Sequence, residues 1–444
     1  MRKLVIISVF ALVVTVNCVS TDSDNVRYSR EVLSNGLTVI IKHNPDSRVF
    51  AVNILGKNRA VWEKPHQSGI TDLTNRMLVK GTEKKNAEEV QAALDDIGAR
   101  LETNDSPYIP YDDRYTWRAY SFVRFETIDE YAEDGLKILY EIVAKPSFDE
   151  VELEKVKNKV MGIFGMESGS TYKVCRNLYY SKLFENHPLS KKVLGDRRSL
   201  AGITSDDLTK YHQKYYSAGN LIIAVVSNIE PETVMKWIKK RFGKLPPYTR
   251  EEINMPEASK IEGATEVSQP MDKEQVYIYL GNIIPGLTSD SAPAIRLAVE
   301  ILSTRLKLNL REKQGLAYSV GAGVRFLENF GWFTCAMGTG HENFEVARDG
   351  ILAEIDKLKN EPIEQAELDK ARNSLWGSML MRNMSCINQA YNMAYYEFVN
   401  AGFDYDRGYK ERLDKITVEN VQQAARQFLD TDNYVQAYVG KTAK

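Results

Sequence analysis

The chain has 444 residues, 43% of them hydrophobic and 27% charged, an ordinary globular composition spread over too great a length for one core, so two or more domains are expected. Lysine and arginine number 58 against 60 aspartate and glutamate, a net charge of −2. With no long basic or aromatic-basic block either, a nucleic-acid partner is excluded.

At the start, Arg2 and Lys3 precede the apolar run LVIISVFALVVTV. Roughly a dozen residues suit the core of a signal peptide, assigned to residues 1–20, and fall short of the ~20 needed to span a bilayer. The leader is too poor in arginine for a mitochondrial transit peptide, so export to a periplasm is expected. Cys18 stands where a bacterial lipoprotein carries its lipidated cysteine. Two outcomes stay open there: a membrane tether through Cys18, or cleavage near Ser20 that frees the exported protein.

Alternating apolar residues predict strands over 37–42, after the turn Ser34-Asn35-Gly36, and over 49–55. Helical periodicity covers 69–79, 86–97, 128–143, 148–166 and 205–216, and the apolar run 221–229 reads as a strand. The stretch 244–269 is rich in Pro, Glu and Ser, with Pro246, Pro247 and Pro256 breaking any helix; it is read as a linker between units 28–243 and 270–441. Those units repeat one another. ELEKVKN at 152–158 answers ELDKARN at 367–373, and Ile203-Thr204 leading to LIIAVVSNI answers Ile416-Thr417 leading to YVQAYVG. Two matches in the same order at nearly one offset argue for a duplicated domain.

Cys175, Cys335 and Cys386 are widely spaced singles and read as buried thiols. No two of His43, His66, His187, His212 and His341 stand three or four residues apart, so a local histidine-based zinc site is not expected. Gly321-Ala322-Gly323 and Gly338-Thr339-Gly340 lack any phosphate-binding frame and are read as strand bends or turns.

Two segments carry chemistry. Glu63-Lys64-Pro65 precedes GITDLTNRMLVKGT at 69–82, which places Asp72 and Arg76 on one helical face with Asn75 beside them. Further on, residues 309–320 read NLREKQGLAYSV, with Arg311 and Tyr318 able to donate to a peptide carbonyl. Both segments resemble the insulinase/pitrilysin family of zinc metallopeptidases, which includes the mitochondrial processing peptidases and paired bacterial homologues. In that family the first frame is G-I-x-H-x-x-E-H-M-L-x-K-G-T. Its two histidines bite one zinc and its glutamate activates the metal-bound water. Here the three slots hold Asp72, Asn75 and Arg76. A guanidinium has no free lone pair, and an amide cannot take the proton of a water.

The resemblance implies that Glu154, in EKVKN, is the one surviving ligand position, and that Arg76 pairs with Glu154 or with Asp72 in the place of the metal. The alternative leaves Glu152 and Glu154 as solvated charges. It further implies that Arg311 and Tyr318 hold substrate backbone; the alternative is a helix end capped at Gly315 with both side chains packed locally. The fold implied is α+β: two homologous sandwich domains, each an antiparallel-rich sheet with helices packed on it. The function implied is a non-catalytic subunit that binds extended peptides beside a zinc-bearing homologue and itself carries no cofactor. A peptide-binding or scaffold homodimer, and a metallopeptidase with an atypical site around Asp72 and Glu154, are the other readings.

Overall fold

The computed structural model describes residues 27–104, 117–247 and 254–441; the leader and Cys18 lie outside them. The first unit contains strands β1 (Tyr28–Val32), β2 (Thr38–His43), β3 (Val49–Gly56), β4 (Arg100–Glu102), β5 (Ser121–Ile128) and β6 (Leu221–Ser227). Its helices are α1 (Arg59–Trp62), α2 (Ile70–Leu78), α3 (Ala87–Asp95), α4 (Ala132–Ala144), α5 (Glu150–Ser168), α6 (Thr171–Leu183), α7 (Arg197–Gly202), α8 (Ser205–Tyr215) and α9 (Pro231–Arg241). The second unit has β7 (Thr265–Pro270), β8 (Gln275–Gly281), β9 (Ile283–Pro285), β10 (Ser319–Phe326), β11 (Phe330–Gly340) and β12 (Val435–Gly440). Around them lie α10 (Ala292–Leu306), α11 (Phe344–Asn360), α12 (Gln365–Arg382), α13 (Cys386–Phe398), α14 (Tyr409–Asp414) and α15 (Val418–Phe428).

The duplication extends to the hydrogen-bond ladders. The first sheet runs β1-β2-β6-β3-β5-β4 and the second β7-β12-β8-β11-β10. In each, one parallel pair (β2 with β6, β7 with β12) is followed by antiparallel neighbours only. The counterpart of edge strand β4 is therefore edge strand β10. The stretch 244–269, expected to be linker alone, ends in β7, because Thr265 to Pro270 pair in register with Val435 to Gly440.

Strand alternation sends side chains to two different cores. Along β3, Phe50, Val52 and Ile54 face the helices of their own unit, whereas Ala51 and Leu55 join the cluster that contains the second unit. The element that covers this second face comes from the other half of the chain: α13 lies across β3 and β6, and α6 lies reciprocally across β12 and β8. Both helices are N-capped by serine, Ser170 and Ser385, each accepting a backbone hydrogen three residues on. Cys175 on α6 is buried against this second sheet, its thiol donating to Tyr277 O and Ala437 O. All three cysteines of the described residues are buried and free. The glycine clusters read as bends lie inside paired strands instead, with Gly338 opposite Ser319. A Cβ at Gly338 would come within 2.9 Å of the Tyr277 ring, so small size is what that position requires.

Candidate functional site

The helix that carries the altered motif is held by its first residues. Gly69 caps α2 at φ 86°, a left-handed conformation that glycine adopts without penalty, and a Cβ there would meet Leu194 O at 2.4 Å. Glu63 is 3% exposed and sits at this helix start. Its carboxylate accepts from Gly69 N at 2.9 Å, from Thr71 N at 3.4 Å and from Arg59 Nε at 3.1 Å. A carboxylate at a helix N-terminus satisfies orphan donors and favours the dipole. The Glu-Lys-Pro turn thus does more than reverse the chain, a role that sequence spacing alone did not show.

One turn further on, Arg76 Nε donates to Asp72 Oδ2 at 2.6 Å and Arg76 Nη2 to Asp72 Oδ1 at 3.3 Å. The two side chains are 12% and 8% exposed. Asn75 is equally committed. Its Nδ2 donates to Thr103 O at 3.0 Å, just beyond β4, and its Oδ1 accepts from the Tyr216 hydroxyl after α8. Burial drives the Tyr216 phenol well above its usual range, so it remains a donor. One turn earlier, Thr71 Oγ1 and the Tyr211 hydroxyl form a separate hydrogen bond at 2.6 Å. Neither tyrosine is signalled by the motif.

Of the two pairings expected for Arg76, the one with Asp72 forms. Glu154 sits on the outer face of α5, its side chain 60% exposed and paired at 2.9 Å with Lys157. The reason is helical phase: Leu153, Val156, Val160 and Ile163 form the buried stripe of α5, and Glu154 falls outside it. Among the described residues no group of three His, Cys, Asp or Glu side chains could hold a metal ion. At the motif positions the polar atoms are engaged by the protein and a fixed cation occupies the face that would ligate, so these residues do not fit a zinc site of the kind the intact motif builds.

The second segment has a different character. After α10 the backbone continues as a π-helix over Lys307–Lys313, then turns at Gly315 with φ 66°. Such widened turns recur at functional sites. Leu310 is buried and anchors the turn, while Arg311 is exposed and Tyr318 is 68% exposed. Neither side chain has a hydrogen-bond or ion-pair partner among the described residues. Local packing of both was the alternative to a binding role, and they do not pack. Tyr318 N donates to Gly338 O, and Tyr318 immediately precedes edge strand β10.

This architecture was compared with known proteins. The insulinase (peptidase family M16) family matches residues 38–197, and the peptidase M16 inactive domain matches residues 202–375. The chain belongs to the insulinase (M16) peptidase family. It is 25% identical over 417 residues to the uncharacterized zinc protease YmxG of Bacillus subtilis, covering 92% of this chain and 97% of that protein. It is 22% identical over 368 residues to a probable mitochondrial-processing peptidase subunit beta of Arabidopsis thaliana, covering 79% and 66%. A peptidase M16 inactive-domain structure from Pseudomonas fluorescens superposes with a TM-score of 0.85 at 22% identity, over 94% of this chain and 98% of that one. The periplasmic protease PqqL of Escherichia coli superposes with a TM-score of 0.79 at 13% identity, over 99% of this chain and 48% of PqqL. These likenesses establish the M16 fold. No helix among the described residues is long and apolar enough to cross a membrane.

Proposed function

We propose that this chain is the non-catalytic subunit of a two-chain M16 peptidase, exported with residues 1–20 as its leader. It pairs with a zinc-bearing homologue and holds extended peptide through Arg311 and Tyr318. The observation that carries this reading is the contrast between the two motifs. Asp72, Asn75 and Arg76 are consumed by buried protein contacts, whereas Arg311 and Tyr318 are exposed. A guanidinium and a phenol both donate to backbone carbonyls. β10 ends its sheet, so a peptide added along it would gain main-chain hydrogen bonds with broad sequence tolerance.

The test is purification of the protein from its own source, with partner identification by mass spectrometry and zinc counted per complex. One zinc on a co-purifying M16 homologue is the expected result. A zinc-free homodimer would replace the proposal with the scaffold reading. The same mass measurement reads whether Cys18 carries lipid. In the assembled complex, Tyr318→Phe and Arg311→Ala should each weaken extended-peptide binding by about tenfold, the worth of one hydrogen bond to a carbonyl.

A further inference from the structure

The hairpin of α12 and α13 ends in an exposed apolar tip. Leu380, Met381 and Met384 are 48%, 64% and 82% exposed, and Trp376, one turn before Leu380, is half-buried. Helical phase explains the exposure: Leu368, Ala371 and Met379 form the buried stripe of α12, while Leu380 and Met381 project from its other side and Met384 follows at the helix end. The fold does not require these side chains. At the offset of the repeat that aligns Glu152 with Glu367, Leu380 and Met384 answer Gly165 and Gly169 of the first unit, so the duplicated hairpin forms without apolar groups there.

The hairpin also lacks acids. No aspartate or glutamate stands between Asp369 and Glu397, and Arg382 is the sole charge from Asn373 to Tyr396. Arg382 is exposed beside Met381. An apolar tip with an arginine at its side and no carboxylate on its hairpin suits the boundary between acyl chains and anionic headgroups.

The place where the N-terminal segment leaves the fold points to the same surface. Arg27 O accepts from His43 N at 2.8 Å, and the adjoining Asn44 Nδ2 donates to Cys386 Sγ at 3.7 Å, two residues beyond Met384. On the other side Tyr28 packs against Phe403 at 5.7 Å, and three residues on Asp406 accepts from Asn383 Nδ2 at 2.8 Å, one residue before Met384. Arg27 and the tip thus share one end of the molecule. Cys18 precedes Arg27 by nine residues, a reach of at most about 30 Å.

We propose that Leu380, Met381 and Met384 seat in the headgroup boundary of a lipid bilayer, held there by a membrane tether at Cys18. The inference rests on the export and tether reading above, and peptide binding plays no part in it. Glu367, paired with Arg305 just before the π-helix, lies about 21 Å along α12 from Met381 at 1.5 Å per residue. Docking by the tip therefore leaves Arg311 and Tyr318 open. A tether holds the tip at a millimolar effective concentration, so even a contact with a dissociation constant of ~0.1 mM is made about nine-tenths of the time.

The test is methionine oxidation by chloramine T, read residue by residue by mass spectrometry on the full natively processed chain, free and floated on vesicles of phosphatidylethanolamine and phosphatidylglycerol. Vesicles should slow sulfoxide formation at Met381 and Met384 by about tenfold and leave Met166, 46% exposed on the first unit's hairpin, at its solution rate. The double variant Leu380→Gln, Met384→Gln, at exposed positions, should still float through its anchor while Met381 oxidises at the solution rate. A chain that fails to float, unchanged rates on vesicles, or equal slowing at Met166 would each overturn the inference. Slowing without vesicles that grows with protein concentration would assign the tip to a second copy of the chain and overturn it equally. The readout needs only this chain and lipid, so absence of a zinc-bearing partner would leave the result standing.

Discussion

Replacing Arg76 by Met tests whether the altered motif has become part of the protein's structure. The Asp72 and Arg76 side chains are 8% and 12% exposed, which places the pair outside the regime of surface ion pairs worth ~0–1 kcal/mol. It belongs instead with buried pairs, where removal of one partner costs about 3–5 kcal/mol because the other charge is stranded. Asp72 keeps a small opening to solvent, so the lower figure applies, and R76M should lose about 3 kcal/mol. The double variant D72L/R76M removes both charges at similar volume and should recover to within about 1 kcal/mol of the parent, since desolvation then costs nothing. Urea unfolding followed by circular dichroism reads both, with unchanged slopes showing that the midpoint shift is a stability change. A loss below about 1 kcal/mol for R76M, or a double variant no better than the single one, would mean that the pair is solvated and that Arg76 holds nothing in place. Elemental analysis of R76M supplies a second check: metal content should not rise, and stoichiometric metal on that change alone would reveal latent ligands around Asp72.

Three further outcomes follow from the packing. His212 is buried with Nε2 donating to Val143 O at 2.8 Å, and burial lowers its pKa to about 4. Between pH 6.5 and 4 the unfolded chain therefore takes up a proton that the folded chain refuses. Stability should fall by about 3 kcal/mol across that window as pH drops and level off below it. His212→Gln should flatten the slope of unfolding free energy against pH; an unchanged slope would refute the assignment. Gly69→Ala must place a Cβ against Leu194 O at φ 86°, so about 2–4 kcal/mol of stability should be lost, and a midpoint within error of the parent would contradict the geometry. Finally, a fragment of residues 27–247 lacks α13 and leaves Ile40, Ala51, Leu55, Ala224 and Val226 uncovered. It should bind a hydrophobic dye and unfold without a sharp transition, whereas a cooperative transition would show that each unit folds alone.

Much of the fold was legible because local signals agree with the final structure. Strand alternation at 37–42 and 49–55 gave β2 and β3 to within one residue at either end, and periodicity at 69–79 and 205–216 gave α2 and α8. The helix expected over 128–143 begins only at Ala132, since Ile128 still pairs with Val49 in the sheet. The repeat was visible as two short matches, and the ladders extend it across both sheets. At the site, the chemistry of Asp72, Asn75 and Arg76 could be argued from side-chain type alone. Their partners could not, because Tyr211 and Tyr216 lie more than 130 residues away and are brought to α2 by α8.

Side-chain chemistry and period are properties of neighbouring residues, so the sequence by itself determined the duplicated α+β pattern and which side chains stand at 72, 75, 76, 311 and 318. Tertiary structure decided which way Arg76 turns, because Glu154 lies one helical phase away from the buried stripe of α5. It likewise decided the exchange of α6 and α13 between sheets. Each of these depends on which distant surfaces meet, and burial and electrostatics at such surfaces are set by the packed whole and by no local stretch of chain.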